Sequence, residues 1–113
     1  MKRLVKKLYL KPDEELIKKY KYVHENIWPE IKAGILSAGV DNMELYLLEN
    51  LAIMIVELED SLDPDEIFSK LANDPKQQEW ENFVAEFQEC NEGDSSAEKW
   101  LPMERIFSLK EGK

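Results

Sequence analysis

The chain has 113 residues, enough for one small domain, with 15 Lys and Arg against 24 Asp and Glu and a single His, a net charge of −9. A 43% hydrophobic and 10% aromatic content builds a core despite 35% charged residues, which excludes a disordered chain. The one cysteine, Cys90, excludes an internal disulfide, four isolated glycines exclude a Gly-x-Gly-x-x-Gly or phosphate loop, and no run approaches the roughly 18 apolar residues of a membrane span.

Residues 4 to 10 are short, β-rich and partly alternating, with Lys6, Leu8 and Leu10 on one face and Val5, Lys7 and Tyr9 on the other, and read as a first strand. Pro12-Asp13-Glu14-Glu15 opens a helix, its acidic residues in the first turn where the macrodipole favours them, with Leu16, Tyr20 and Val23 at helical spacing. Trp28-Pro29 interrupts it, and a second helical piece runs from Pro29 to about Ala38 and stops at Gly39. Residues 42 to 48 and 51 to 58 form two strands joined by the two-residue turn Glu49-Asn50, an antiparallel hairpin whose second arm is apolar enough to be central. In the first arm Met43, Leu45 and Leu47 share one face, and Asn42, Glu44, Tyr46 and Leu48 the other. Asp63-Pro64 and Asp74-Pro75 each start a helix, the second carrying Trp80, Phe83, Val84 and Phe87. Asn91 to Ser96 is a polar loop, and Met103 to Leu109 reads as the last strand.

The order is β-α-β-β-α-β with each helix broken in two, which predicts an α+β, ferredoxin-like sandwich with an antiparallel four-stranded sheet. Helices on one face leave the other bare. Such a sheet usually hides that face against a second copy, so the expected assembly is a homodimer of the dimeric α/β-barrel type.

Charge is uneven: residues 1 to 21 carry eight basic and three acidic side chains, while the remainder carries seven and 21. Without further basic residues or exposed aromatics downstream, the early lysines read as solvation of an edge strand and a helix, and neither nucleic acid nor membrane is expected as a partner. With no leader-like apolar stretch and no Asn-x-Ser/Thr acceptor, the reading is cytoplasmic. One His and one Cys cannot build a His-rich or Cys-rich zinc site, although the many carboxylates leave an all-carboxylate Mg²⁺ site open, and Gly-x-Ser-x-Gly does not occur. Cys90 as a nucleophile would need His24 as its base, and a small buried hydrophobe is the simpler reading. What remains is a polar and aromatic concentration. Tyr20 and His24 lie four apart on one helix face, followed at once by Ile27-Trp28-Pro29-Glu30, and His24 is the one side chain whose unperturbed pKa suits proton transfer near neutrality. Trp28 and Trp80 fit either a core or an aromatic platform for a sugar ring, and Tyr46 either packs or offers its hydroxyl to a ligand.

His24-Glu25-Asn26-Ile27-Trp28-Pro29-Glu30, Asn42 and Tyr46-Leu47 on the second strand, Trp80, and the closing Met103-Glu104-Arg105-Ile106-Phe107 resemble the L-rhamnose mutarotase family over residues 4 to 109. The resemblance implies one such domain across residues 1 to 113, a cofactor-free and metal-free cytoplasmic homodimer, and interconversion of the α and β anomers of a free monosaccharide. It casts His24 as proton donor to the ring oxygen and Tyr20 and Trp80 as substrate-binding, with Tyr46 and Trp28 as further candidates. Two departures bear on the sugar. Met43 stands where the family has a tyrosine, and Glu79-Trp80 where it has two tryptophans, so Met43 and Glu79 become candidate substrate contacts and L-fucose or another aldose an alternative to L-rhamnose. A haem-degrading relative of the same fold and a non-enzymatic sugar-binding module are the other functional classes.

Overall fold

The computed structural model describes residues 1–91 and 94–111. Strand β1 (Lys2–Tyr9) precedes helix α1 (Glu14–Glu25), α2 (Pro29–Ala38) and the hairpin β2 (Val40–Leu48) and β3 (Leu51–Leu58). Then come α3 (Pro64–Ala72), α4 (Pro75–Val84), a 3₁₀ turn (Ala85–Phe87), a single-turn helix α5 (Ser96–Lys99) and β4 (Leu101–Pro102). The helix starts follow from local chemistry. Asp13, Asp63 and Asp74 each turn a carboxylate onto free N–H groups of the first turn, and Pro29, Pro64 and Pro75 occupy first-turn positions where a missing N–H costs nothing. Helix α2 ends at Gly39, which takes φ 116, a left-handed conformation that a side chain resists. Glu49 in the hairpin turn also takes a positive φ, 54.

The sheet order is β2-β3-β1-β4, antiparallel throughout, which is the expected ferredoxin-like arrangement. Leu8, Ala52, Met54, Val56 and Leu58 face the helices and are buried with Ile67, Leu71 and Trp100. A second cluster, Leu10, Tyr20, Ile31, Trp80, Val84 and Phe87, lies among α1, α2 and α4. Leu47 and Ile35 touch both clusters. The opposite sheet face carries Val5, Tyr9, Tyr46, Leu48, Ile53 and Ile55 without any helix over it, as strand alternation requires.

Several sequence expectations need correction. The first strand starts two residues earlier and Leu10 forms only an isolated bridge to Gln88. Strand β2 begins at Val40, with an irregularity between Val40 and Asn42. The largest difference is at the C-terminus: Met103 to Leu109 is not a strand. The ladder with β1 covers only Leu101 and Pro102, and Met103 adds one bond from its N–H to the Val5 carbonyl, 2.8 Å. Beyond that point no buried face rewards pairing. Ile106, Phe107 and Leu109 are exposed, and Arg105 turns to Glu111 within the same tail. Part of the Asn91 to Ser96 loop, Glu92-Gly93, lies outside the described residues; its end becomes the N-cap of α5, where Ser95 and Glu98 form a capping box.

A Cβ added at Gly39 would stand 3.3 Å from both Ile67 Cδ1 and Leu62 Cδ1 while holding a positive φ. Gly39→Ala is therefore expected to lower stability by about 1–2 kcal/mol, read as a lower denaturation midpoint with an unchanged slope.

Candidate active site

Two turns of α1 place Tyr20 and His24 on the face that packs toward α4, ring centroids 4.4 Å apart. His24 Nδ1 lies 2.9 Å from the Tyr20 carbonyl oxygen. A carbonyl only accepts, so Nδ1 carries a hydrogen, and in the neutral ring the lone pair resides on Nε2. Nε2 has no protein partner among the described residues and is not sealed from solvent, on a ring that lines the cavities described below. Burial is the main influence on this imidazole and pushes its pKa below the ordinary 6.5, opposed by the bond to the Tyr20 carbonyl and by the negative charge of Glu81. The resting form near neutrality is thus the neutral imidazole.

Tyr20 is buried, and its hydroxyl oxygen accepts a hydrogen bond from Gln88 Nε2 at 3.2 Å. Burial pushes the phenol up to about 12, with the Gln88 bond opposing and the charge of Glu81 adding to the rise. It stays protonated, a donor rather than a base. Behind Gln88 stands Lys99, its side chain 0% exposed, with Nζ 2.9 Å from Gln88 Oε1, 3.2 Å from the Glu81 carbonyl oxygen and 2.7 Å from Glu81 Oε2. The last approach is a charge contact rather than an aligned hydrogen bond, and Oε2 has no other partner. Glu81 Oε1 accepts from Gln77 Nε2 at 3.3 Å.

Two adjoining cavities of about 400 and 610 Å³ meet at Tyr20, His24, Ile27, Ile35, Met43 and Leu45. The smaller is closed by Trp80, Gln77 and Glu81 of α4; the larger opens toward the edge strand β2. Their size and mostly apolar walls suit a small organic ligand.

Of the residues singled out in the sequence, Tyr20, His24, Met43 and Trp80 converge here, with Trp80 edge-on to His24 at 5.5 Å between centroids. Trp28 stands behind them, stacked on Phe83 and edge-on to Trp80 at 5.1 Å, and so braces the wall rather than forming it. Tyr46 belongs to the helix-free face of β2, where its hydroxyl reaches Glu44; it touches only the outer lip of the larger cavity. Glu79 is not brought to His24. It precedes Trp80 by one residue, about 100° around the helix, and is exposed and paired with Lys76. The α4 carboxylate residue that lines the smaller cavity is Glu81. Sequence reasoning missed it together with Gln77, Gln88 and Lys99; the spacing of Gln77, Trp80, Glu81 and Val84 on one helical face was the available signal for the α4 pair.

Among the described residues no group of three or more His, Cys, Asp or Glu side chains could hold a metal ion, and no helix is long and apolar enough to cross a membrane.

A protein-family model described as L-rhamnose mutarotase matches residues 3–109. The chain is 33% identical to a protein named L-fucose mutarotase from Xanthomonas campestris pv. campestris, over 98% of this chain and 90% of that one. It is 28% identical to the L-rhamnose mutarotase of Listeria monocytogenes, over 96% of this chain and 99% of the other. The crystal structure of the L-rhamnose mutarotase of Formosa agariphila has the same fold, with a TM-score of 0.74 at 21% identity, covering 96% of this chain and 99% of that one.

Removing one partner of a buried ion pair leaves the other charge uncompensated. Lys99→Met is expected to cost about 3–5 kcal/mol, and the double replacement Glu81→Leu with Lys99→Met to recover a large part of it, both read from chemical denaturation.

Proposed function

The chain belongs to the L-rhamnose mutarotase family, and on that premise we propose that its His24 cavity opens and recloses the ring of a free 6-deoxy-L-hexose, interconverting the α and β anomers. The observation that carries this reading is His24 itself: Nδ1 is held by a carbonyl, the ring is neutral at rest, and Nε2 is free beside a protonated Tyr20. Nε2 takes the proton of the anomeric hydroxyl as Tyr20 gives its proton to the ring oxygen, and the C1–O5 bond breaks to leave the open aldehyde. Rotation about C1–C2 presents the other carbonyl face, and reclosure returns both protons. This assigns His24 as the base on opening and the donor on closing, where the family resemblance alone cast it as donor to the ring oxygen. A positioned acid and base supply about 10²–10⁴ in rate, and the reaction leaves both groups as they began, so no cofactor enters.

Trp80 supplies an aromatic plane for the C–H face of the sugar, and Met43 an apolar wall beside it. L-Fucose is the second reading. It is favoured by Met43, where a phenol donor is absent, and by the 33% identical relative named for that sugar. The lone free Cys90 agrees with a cytoplasmic enzyme.

The helix-free sheet face supports a homodimer. Val5, Tyr46, Leu48, Ile53 and Ile55 form one apolar face that no helix covers, and a second copy would cover it about a two-fold axis.

Saturation-transfer NMR of the anomeric protons is expected to show faster exchange with L-rhamnose, L-fucose or both, and wild-type protein that accelerates neither overturns the reading. His24→Ala should lose about 10²-fold or more of the enhancement without unfolding. kcat/KM should be flat above neutrality and fall on the acid side with a midpoint below 6.5, because protonation removes the Nε2 lone pair. The same depressed pKa means the unfolded chain binds the extra proton, so the stability His24 contributes is intact above 6.5 and declines as pH falls through the folded value. For the assembly, sedimentation should give twice the 13.3 kDa chain mass, and Ile55→Glu should give monomer; a monomeric wild type would refute the dimer.

A further inference from the structure

We infer that Lys99 and Gln88 fix the direction in which Tyr20 donates its hydroxyl proton, making Lys99 a positioning residue that acts on the substrate through two intervening side chains. The inference rests on the anomer-exchange reading above, in which Tyr20 donates to the ring oxygen.

The hydrogen bonds around the buried Lys99 fix each orientation in turn. An ammonium has three N–H donors and no acceptor. Two of those of Lys99 are taken up by the Glu81 carbonyl and Gln88 Oε1, Glu81 Oε2 stands in charge contact at 2.7 Å, and the side chain is 0% exposed. Gln88 must therefore turn its carbonyl oxygen to Lys99, and its NH₂ group is left to face Tyr20. Flipping the amide would set N–H donors against the ammonium. Nor can Gln88 swing away: it is 2% exposed and its backbone bridges Leu10. The Tyr20 oxygen consequently accepts from Gln88, and its single proton points elsewhere, on the side where Tyr20 lines the cavities with His24.

Without Lys99 the amide could adopt either orientation, and in one of them Tyr20 would donate inward to Gln88 and offer the sugar only lone pairs. Glu81 has a supporting part. Its carboxylate lies 2.7 Å from the buried Lys99 Nζ, and the capping box at Ser95 and Glu98 sets the one-turn helix that delivers Lys99 there. None of this requires Lys99 to touch the sugar.

Gln88→Glu tests the direction directly, since a carboxylate of the same shape accepts from Lys99 and Tyr20 alike and turns the phenol proton inward. The expected result is a loss in exchange rate equal to that of Tyr20→Phe, about 10²-fold, with secondary structure by circular dichroism unchanged and no further loss in the double variant. Wild-type exchange rates in Gln88→Glu, or losses that multiply in the double variant, would overturn the inference while leaving the mutarotase reading intact. Gln88→Met guards against a misfolded Gln88→Glu. It removes the bond to Tyr20 without offering an acceptor, so it should keep more activity than Tyr20→Phe, and activity at or below that of Tyr20→Phe counts against the inference. A readout without substrate is the tyrosine Fermi doublet in the Raman difference spectrum of Gln88→Glu against wild type. A shift from acceptor to donor character is expected, and no shift contradicts the inference even if wild type exchanges no sugar.

Discussion

Lys99 is the constraint on which the helical side of this protein depends. A fully buried ammonium is tolerated only where anions and dipoles replace its water, and desolvation costs several kcal/mol per ion even after relaxation. Meeting that demand adds polar ties between parts of the chain that the second apolar cluster already brings together. The Glu81 carboxylate and carbonyl come from α4, Gln88 from the segment after the 3₁₀ turn, and Lys99 from α5. Gln88 in turn holds Tyr20 of α1. The four segments form one polar seam, and Trp28, Trp80, Phe83 and Phe87 pack on one another in edge-on and stacked contacts, with Phe87 edge-on to Tyr20.

The sheet divides the remaining work between its two faces. On the helical side Val56 and Leu58 are wholly buried. On the other side half-buried Ile53 and Ile55 are left waiting for cover, which a domain of this size can ill spare. The proposed dimer therefore belongs to stability, and the proposed chemistry to the helical side. Tyr46 illustrates the split: strand alternation places it with the uncovered face, and only its position on the edge strand lets it touch the lip of the larger cavity.

Most of the fold was legible because its signals are local. Asp-Pro and Trp-Pro pairs mark helix starts by an N-cap carboxylate and a missing N–H, Gly39 marks a stop by its backbone freedom, and β3 announces itself as a continuous apolar run. The last strand was misread because Met103 to Leu109 has strand-like residues but no buried face to reward pairing, and burial is a tertiary property. In the site, Tyr20 and His24 were legible through their spacing of four. Glu79 enters as a candidate only because it stands where the family has a tryptophan, and a position in a motif does not say which way a helical side chain points: Glu79 is exposed and paired with Lys76, while Glu81 lines the smaller cavity. Lys99 left no trace in the sequence. A lysine in a polar stretch reads as solvated, and only a long-range contact with Glu81, 18 residues away, reveals it as buried.

Opposed shifts in two neighbouring groups give the site its chemical direction. Burial drives both toward their neutral forms: it lowers the imidazole of His24 and raises the phenol of Tyr20 to about 12. Desolvation thus separates the two pKa values and assigns one group as acceptor and the other as donor across a wide range of pH. Aromatic packing contributes to this separation, since Trp80 and Phe87 pack against His24 and Tyr20 respectively. A reaction that opens and recloses a single C–O bond needs only such a pair, each returning to its starting form, with the acid held in the correct orientation. That last requirement is the one a neutral phenol cannot meet alone, because its proton rotates freely about the C–O bond, and it is what the Gln88 amide, pinned by Lys99, supplies.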